Sequence, residues 1–175
     1  MNISQAKKEL RQKILQQNNL YQNKKDITNS LKSFQKNLSS FLKENSNKKI
    51  IGFQALLGEP KLIGINNFIP QTAKIAKKED FLGFDIYLIP CLAVDKQFNR
   101  LGRGSGFYDK LISYIKQSDI TQNTIEKNNI KNDNKSSAKF IVCCWTKQIF
   151  DKIPFEKHDE KIDGIITEKS ITYKS

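Results

Sequence analysis

The chain has almost no arginine, histidine or tryptophan. Among its 175 residues are one histidine (His158), one tryptophan (Trp145) and three arginines (Arg11, Arg100, Arg103), so lysine supplies 27 of the 30 basic side chains. A single histidine excludes a multi-histidine metal centre, and His158 is read as a surface residue. The three cysteines, Cys91, Cys143 and Cys144, form no C-x-x-C pair. That argues against a zinc site or a disulfide framework and for buried thiols that behave as small apolar groups. No apolar run approaches the 18 residues of a membrane span, and the opening MNISQAKKELRQKIL lacks the apolar core of a secretory signal. A cytoplasmic protein with no membrane partner is expected.

Acidic residues are also few: 18 against 30 basic ones, for a net charge of +12. Such an excess draws polyanions. Here it is spread along the chain as lysine, and no basic stretch is interleaved with the aromatics that single-stranded nucleic acid binders use. A specific nucleic acid partner is therefore not expected. The rarity of arginine carries more information. Its rigid fork holds phosphate or carboxylate in a way lysine cannot copy, and two of the three arginines fall in one short stretch, RLGRGSGFYDK, residues 100–110.

What is present is a pattern of alternating helices and strands. Residues 4–17 have an apolar stripe at Leu10, Ile14 and Leu15, with Lys7 and Arg11 one turn apart on one face. A second helix is predicted over 25–44, on Ile27, Leu31, Phe34, Leu38, Phe41 and Leu42. Strands are predicted at 48–55, near 62–65, over 84–94, at 139–145 and at 165–168, with a helical turn near 72–82 and a helix beginning at 106. The nearly continuous apolar run at 84–94 is that of a strand buried on both faces, hence of a parallel sheet. Residues 117–137, rich in Asn, Lys and Ser, read as a flexible surface insertion. The sum is a single α/β domain: an open, mainly parallel sheet flanked by helices in a Rossmann-like, three-layer arrangement.

Within 100–110, Gly102, Gly104 and Gly106 alternate and the helix follows at once. Glycines of this kind let successive N–H groups converge on an anion, and the helix start adds its own free N–H groups. Neither the Walker spacing nor G-x-G-x-x-G fits, since Phe107 and Asp109 stand where a third glycine would be required. A flexible turn and a phosphate loop both remain open from the residues alone. Arg100 and Arg103 favour phosphate. Asp109 is either a magnesium ligand beside that phosphate or a solvated carboxylate in the first turn of the helix.

The stretch RLGRGSGFYDK, following LIPCLAVDKQFN, resembles the signature R-[LI]-G-x-G-x-G-[YF]-Y-D of the 5-formyltetrahydrofolate cyclo-ligases. KKELRQKIL is similar to the N-terminal K-x-x-x-R helix of that family, IGFQALLGEP to its first strand and glutamate, and WTKQIFDKIPFEKHDEKIDGIITEKSI to its C-terminal segment. The resemblance implies an ATP- and Mg²⁺-dependent ligase that closes 5-formyltetrahydrofolate to 5,10-methenyltetrahydrofolate. It implies phosphate contacts from Lys7 and Arg11 and a nucleotide loop formed by Arg100, Leu101, Gly102, Arg103, Gly104, Ser105, Gly106, Phe107 and Tyr108. Arg103 through Phe107 would also face the folate, and Arg100 and Arg103 would stabilise the transferred phosphate. Glu59 would bind the pterin, Gln54 would lie in its pocket, and Asp109 and Asp159 would hold Mg²⁺. Trp145 and Gln148 fall near that site. A monomer is expected, and the many lysines suit the acidic tail of a polyglutamylated folate.

The connection between Glu59 and Ile86 is shorter than the family pattern. That motivates a second reading, a folate- or nucleotide-binding relative with a weakened pocket. A third, a basic protein associated with nucleic acid, rests on net charge alone.

Overall fold

A computed structural model of the chain describes residues 2–18, 24–56, 58–70, 78–127 and 137–174. In chain order its elements are α1 (Ile3–Asn18), α2 (Lys24–Glu44), β1 (Ile50–Phe53), β2 (Phe68–Ile69), β3 (Ile86–Ile89), β4 (Ala93–Asp95), β5 (Arg100–Leu101), α3 (Phe107–Lys127), β6 (Lys139–Cys143), β7 (Ile149–Phe150), β8 (Gly164–Ile166) and β9 (Ile171–Tyr173). Six strands form one sheet in the order β2-β1-β3-β6-β8-β9, parallel throughout except for β9. A smaller sheet, β5-β4-β7, stands apart from it.

The period-2 alternation of the central strands explains the layers. On β3 and β6, Tyr87, Ile89, Phe140 and Val142 point to one face, where Leu111, Ile112 and Ile115 of α3 cover them. Ile86, Leu88, Ile141 and Cys143 point to the other, covered by Phe34, Leu38 and Phe41 of α2. Phe34 and Leu38 are wholly buried, and each contributes ~2–3 kcal/mol of transfer free energy. The expected three-layer α/β arrangement is thus present. The α1 helix belongs elsewhere: Leu10 and Ile14 pack on Leu92, Ala93, Leu101 and Ile153, the core of the small sheet. Cys91, Cys143 and Cys144 are free and buried, as expected, and burial pushes the Cys143 thiol well above its ordinary range.

Several expectations need correcting. The apolar run 84–94 is two strands, not one. Pro90 has no N–H to continue the ladder, and the chain leaves the main sheet there to enter the small one. The three carbonyls exposed by this break are all satisfied. Arg100 Nη1 donates to Pro90 O at 3.2 Å, and Gln148 Nε2 donates to the carbonyls of Cys91 (2.8 Å) and Leu92 (3.2 Å). The strand expected near 62–65 lies at 68–69, where it pairs with Gly52 and Phe53. Of the turn expected over 72–82, a 3-10 turn covers Lys78–Phe81; residues 71–77 lie outside the described residues.

The stretch 117–137 is not wholly an insertion loop. Its first eleven residues continue α3, since a helix anchored by Leu111, Ile112 and Ile115 propagates at little cost. Asp119 then accepts the Ala138 N–H at 3.1 Å and ties the helix to the start of β6; residues 128–136 lie outside the described residues. The antiparallel strand β9 was not anticipated. It follows a turn in which the Thr167 hydroxyl accepts the N–H groups of Lys169 and Ser170.

Candidate functional site

The C-terminal ends of β1, β2 and β3 open on one cavity of about 650 Å³. This is where open parallel sheets ordinarily place a ligand. One wall comes from the ends of the main-sheet strands: Gln54, Leu56 and Glu59 after β1, Ile69 and Pro70 from β2, and Pro90 and Cys91 after β3. The other wall is the glycine loop and the first turn of α3, from Gly102 through Lys110, together with Arg100.

The loop owes its shape to its glycines and to Arg100. Gly104 and Gly106 have φ of +109° and +67°, values that a side chain would strain. At Gly102 the constraint is space, because a Cβ would stand 2.9 Å from Arg100 Nη1. The Arg100 side chain is 2% exposed and pairs with Asp109 at 2.8 Å. Its guanidinium carbon lies 5.7 Å from the centre of the Tyr108 ring. Burial, with Glu59 adding to it, pushes the Tyr108 hydroxyl well above its ordinary range, so the phenol stays neutral. Arg100 is therefore a clamp that ties the end of β3, the glycine loop and α3 together.

Arg103 reaches across the cavity mouth. Its Nε and Nη2 both donate to Glu59 Oε1 at 3.2 Å. The Glu59 side chain is 6% exposed against 41% for Arg103, and its other oxygen accepts the Leu56 N–H at 2.9 Å. The turn bearing Glu59 is held from behind by Trp145, whose Nε1 donates to Gly58 O at 2.8 Å. Trp145 also makes an edge contact with Phe34.

Lys7, Arg11, Leu101 and Asp159 are not part of the cavity wall. Leu101 is core, packed on Ile14. Arg11 Nε donates to Gly102 O at 2.9 Å and so braces the loop from the α1 side. One turn earlier Lys7 is buried, and its ammonium is held by Glu156 (2.7 Å) and Asp159 (2.5 Å). His158, with a side chain 77% exposed, lies beside the same two carboxylates.

For a divalent cation the donor chemistry fits in part. Asp109 uses Oδ1 for Arg100 and Asp159 uses Oδ2 for Lys7 and the Glu156 N–H, which leaves one oxygen on each without a described hydrogen bond. Among the described residues, the one group of three or more possible ligands close enough to share an ion is Glu156, His158 and Asp159.

Sequence reasoning missed the apolar wall of Ile69 and Pro70, and it missed Lys110 at the cavity edge. A helix starting at 107 would have placed Lys110 beside the loop. Ile69 carried no comparable signal, since its strand had been assigned to the wrong residues.

A family model described as the 5-formyltetrahydrofolate cyclo-ligase family matches residues 61–168, more than half the chain. Among curated proteins, the chain is 33% identical over 88 residues to the mouse 5-formyltetrahydrofolate cyclo-ligase and 31% identical over 85 residues to that of Mycolicibacterium smegmatis. Those stretches are 50% and 49% of this chain but only 36% and 34% of the relatives, so the matches span about a third of the curated proteins' length. Among solved structures, a 5,10-methenyltetrahydrofolate synthetase from Mycoplasma pneumoniae superposes with a TM-score of 0.64 at 19% identity, covering 93% of this chain and 98% of that one. One from Aquifex aeolicus gives 0.65 at 18%, covering 96% and 92%. The structural likeness carries the fold; the match over residues 61–168, which takes in the whole glycine loop and the segment bearing Asp159, carries the assignment, and the chain belongs to the 5-formyltetrahydrofolate cyclo-ligase family.

Proposed function

We propose that the chain catalyses the ATP- and Mg²⁺-dependent cyclisation of 5-formyltetrahydrofolate to 5,10-methenyltetrahydrofolate, releasing ADP and phosphate, in the cytoplasm. The observation that carries the reading is the single cavity with Gln54 and Glu59 on one wall and the Arg103-bearing glycine loop on the other. The family assignment supports it.

In this reading the formyl oxygen attacks the γ-phosphate of ATP, and ADP departs. N10 then closes on the activated formyl carbon, and phosphate leaves. Such a reaction asks the protein for positioning and for charge at the transferred phosphate rather than for a covalent group. The carboxylate of Glu59 suits the paired N–H donors of a pterin ring. Arg103 supplies a fork for the moving phosphate, and the N–H groups from Gly102 to Phe107 line the anion's approach. Arg100, already committed to Asp109 and Pro90 O, holds that loop in place. Magnesium, when bound, would neutralise phosphate charge; Asp109, on the cavity wall, would hold it through the oxygen that Arg100 leaves free, and Asp159 would offer the oxygen not used by Lys7. No catalytic part falls to His158.

The test is direct. Protein mixed with 5-formyltetrahydrofolate and Mg·ATP produces the methenyl-folate absorbance band, and omission of ATP abolishes it. A folded, monodisperse preparation that yields no band refutes the activity. A second reading, binding without turnover, is favoured by one observation: Lys7, Arg100 and Arg103 are each already held by a carboxylate. Calorimetry showing folate binding with no ATP consumption would establish it.

A further inference from the structure

Arg103 is read as serving the transferred phosphate while also facing the folate, and Glu59 as binding the pterin, yet here the two side chains pair with each other. Their side chains come from points 44 residues apart and meet across the cavity mouth through two 3.2 Å hydrogen bonds to one oxygen, Glu59 Oε1. The second Glu59 oxygen is fixed by the Leu56 N–H, and Trp145 pins the turn through Gly58 O. Glu59 is thus the anchored partner. Arg103 is the exposed partner, its side chain 41% exposed against 6% for Glu59, and it is the one free to turn away toward the loop.

We infer that this pair makes nucleotide binding conditional on folate. The inference rests on the reading of Glu59 as the pterin carboxylate receptor. The N–H donors of a pterin need the oxygen that Arg103 now occupies, so the two compete for Glu59. A bound pterin releases the Arg103 guanidinium to the loop just as the phosphate arrives there. In the empty protein the same guanidinium is withheld, and the apparent affinity for nucleotide falls by the fraction of time that Arg103 is free. Reciprocity then requires nucleotide to tighten folate binding by the same factor. The pair thereby acts as a specificity determinant: ATP meets its full complement of charge only when a formyl acceptor is present, which disfavours transfer of its phosphate to water.

The test is calorimetric titration of the full chain with the Mg²⁺ complex of a non-hydrolysable ATP analogue, with and without saturating 5-formyltetrahydrofolate. In the wild type, folate tightens the analogue about 3- to 10-fold, the range set by releasing one partly exposed charge-assisted pair. Glu59→Gln keeps an acceptor for Leu56 and frees Arg103. It binds the analogue about 3- to 10-fold more tightly than wild type without folate, and folate adds nothing further. A merely structural role for Glu59 would weaken both ligands instead. Arg103→Gln weakens the analogue and abolishes the folate-dependent gain. If Glu59→Gln folds and binds the analogue no more tightly than wild type, the coupling is overturned while the cyclo-ligase reading stands. If Glu59→Gln does not fold, Arg103→Gln decides: loss of the gain supports the coupling, and its persistence overturns it. A folded wild type that binds neither ligand overturns both.

Discussion

Replacing Asp109 by alanine isolates the Arg100 clamp. The Arg100 side chain is 2% exposed, and Asp109, 25% exposed, is the carboxylate 2.8 Å from it. Removing one partner of a buried pair costs ~3–5 kcal/mol, because the remaining charge keeps its desolvation penalty without its compensation. Water can reach the gap left by a side chain that was one-quarter exposed, which lowers the expected cost to ~2–3 kcal/mol. For a chain of this length that is a fall of roughly 5–10 °C in melting temperature. The assay is thermal unfolding in the presence of a chelator, so that metal binding does not contribute. Asp109→Asn keeps an acceptor for Arg100 and loses about half as much. Arg100→Met with Asp109→Leu removes both charges and recovers most of the loss. An Asp109→Ala variant that melts within about 1 °C of wild type would refute the clamp. The result also governs how activity data are read, since lost turnover in Asp109→Ala is evidence about metal only after the loop is shown to survive.

Three further outcomes are expected. Burial pushes the Tyr87 hydroxyl up to about 12, above its value of ~10 in an unfolded chain. The unfolded state therefore loses that proton first as pH rises, and stability present below pH ~10 is lost between ~10 and ~12, by up to ~2 kcal/mol; Tyr87→Phe costs ~1 kcal/mol near neutrality, for the bond to Phe81 O, but shows a shallower alkaline decline in denaturant midpoints. Asp95 is fully buried and accepts the N–H groups of Gln97, Asn99 and Ile153 and the amide of Asn99; Asp95→Ala orphans them and lowers unfolding free energy by ~3 kcal/mol, and a loss under ~1 kcal/mol would contradict that account. Gly102→Ala places a Cβ against an Arg100 that Asp109 keeps from moving, so it costs ~1–2 kcal/mol and weakens nucleotide binding, whereas an unchanged melting curve would show that the loop relaxes freely.

Sequence reading succeeded where one physical signal dominated. The apolar run of residues 140–143 and the helical stripe of Phe34, Leu38 and Phe41 placed a central strand and one of the helices because burial alone decides them. Reading failed where two signals competed. The apolar run 84–94 hid a change of sheet because its hydrophobicity continues through Pro90 while its hydrogen bonding does not. Composition concealed the later turns of α3, because Asn and Ser are poor helix formers that a well-packed first half can nevertheless carry. At the site, the glycine loop and its arginines were legible from residue type. Their partners were not: Lys7 meets Asp159 and Arg103 meets Glu59 across 152 and 44 residues, and no local pattern encodes those meetings.

The prior pairing of Lys7, Arg100 and Arg103 with carboxylates bears on how this chain responds to salt. Most of its net charge of +12 resides on lysines other than these, and such exposed charge attracts any polyanion and is lost by screening within a Debye length of ~8 Å at physiological ionic strength. A ligand that enters the cavity exchanges one ion partner for another, so few counterions are taken up or released. On the proposed function the protein would carry two kinds of anion affinity that ionic strength separates: a diffuse one that decays steeply as salt is added, and a sited one that persists after the first has gone.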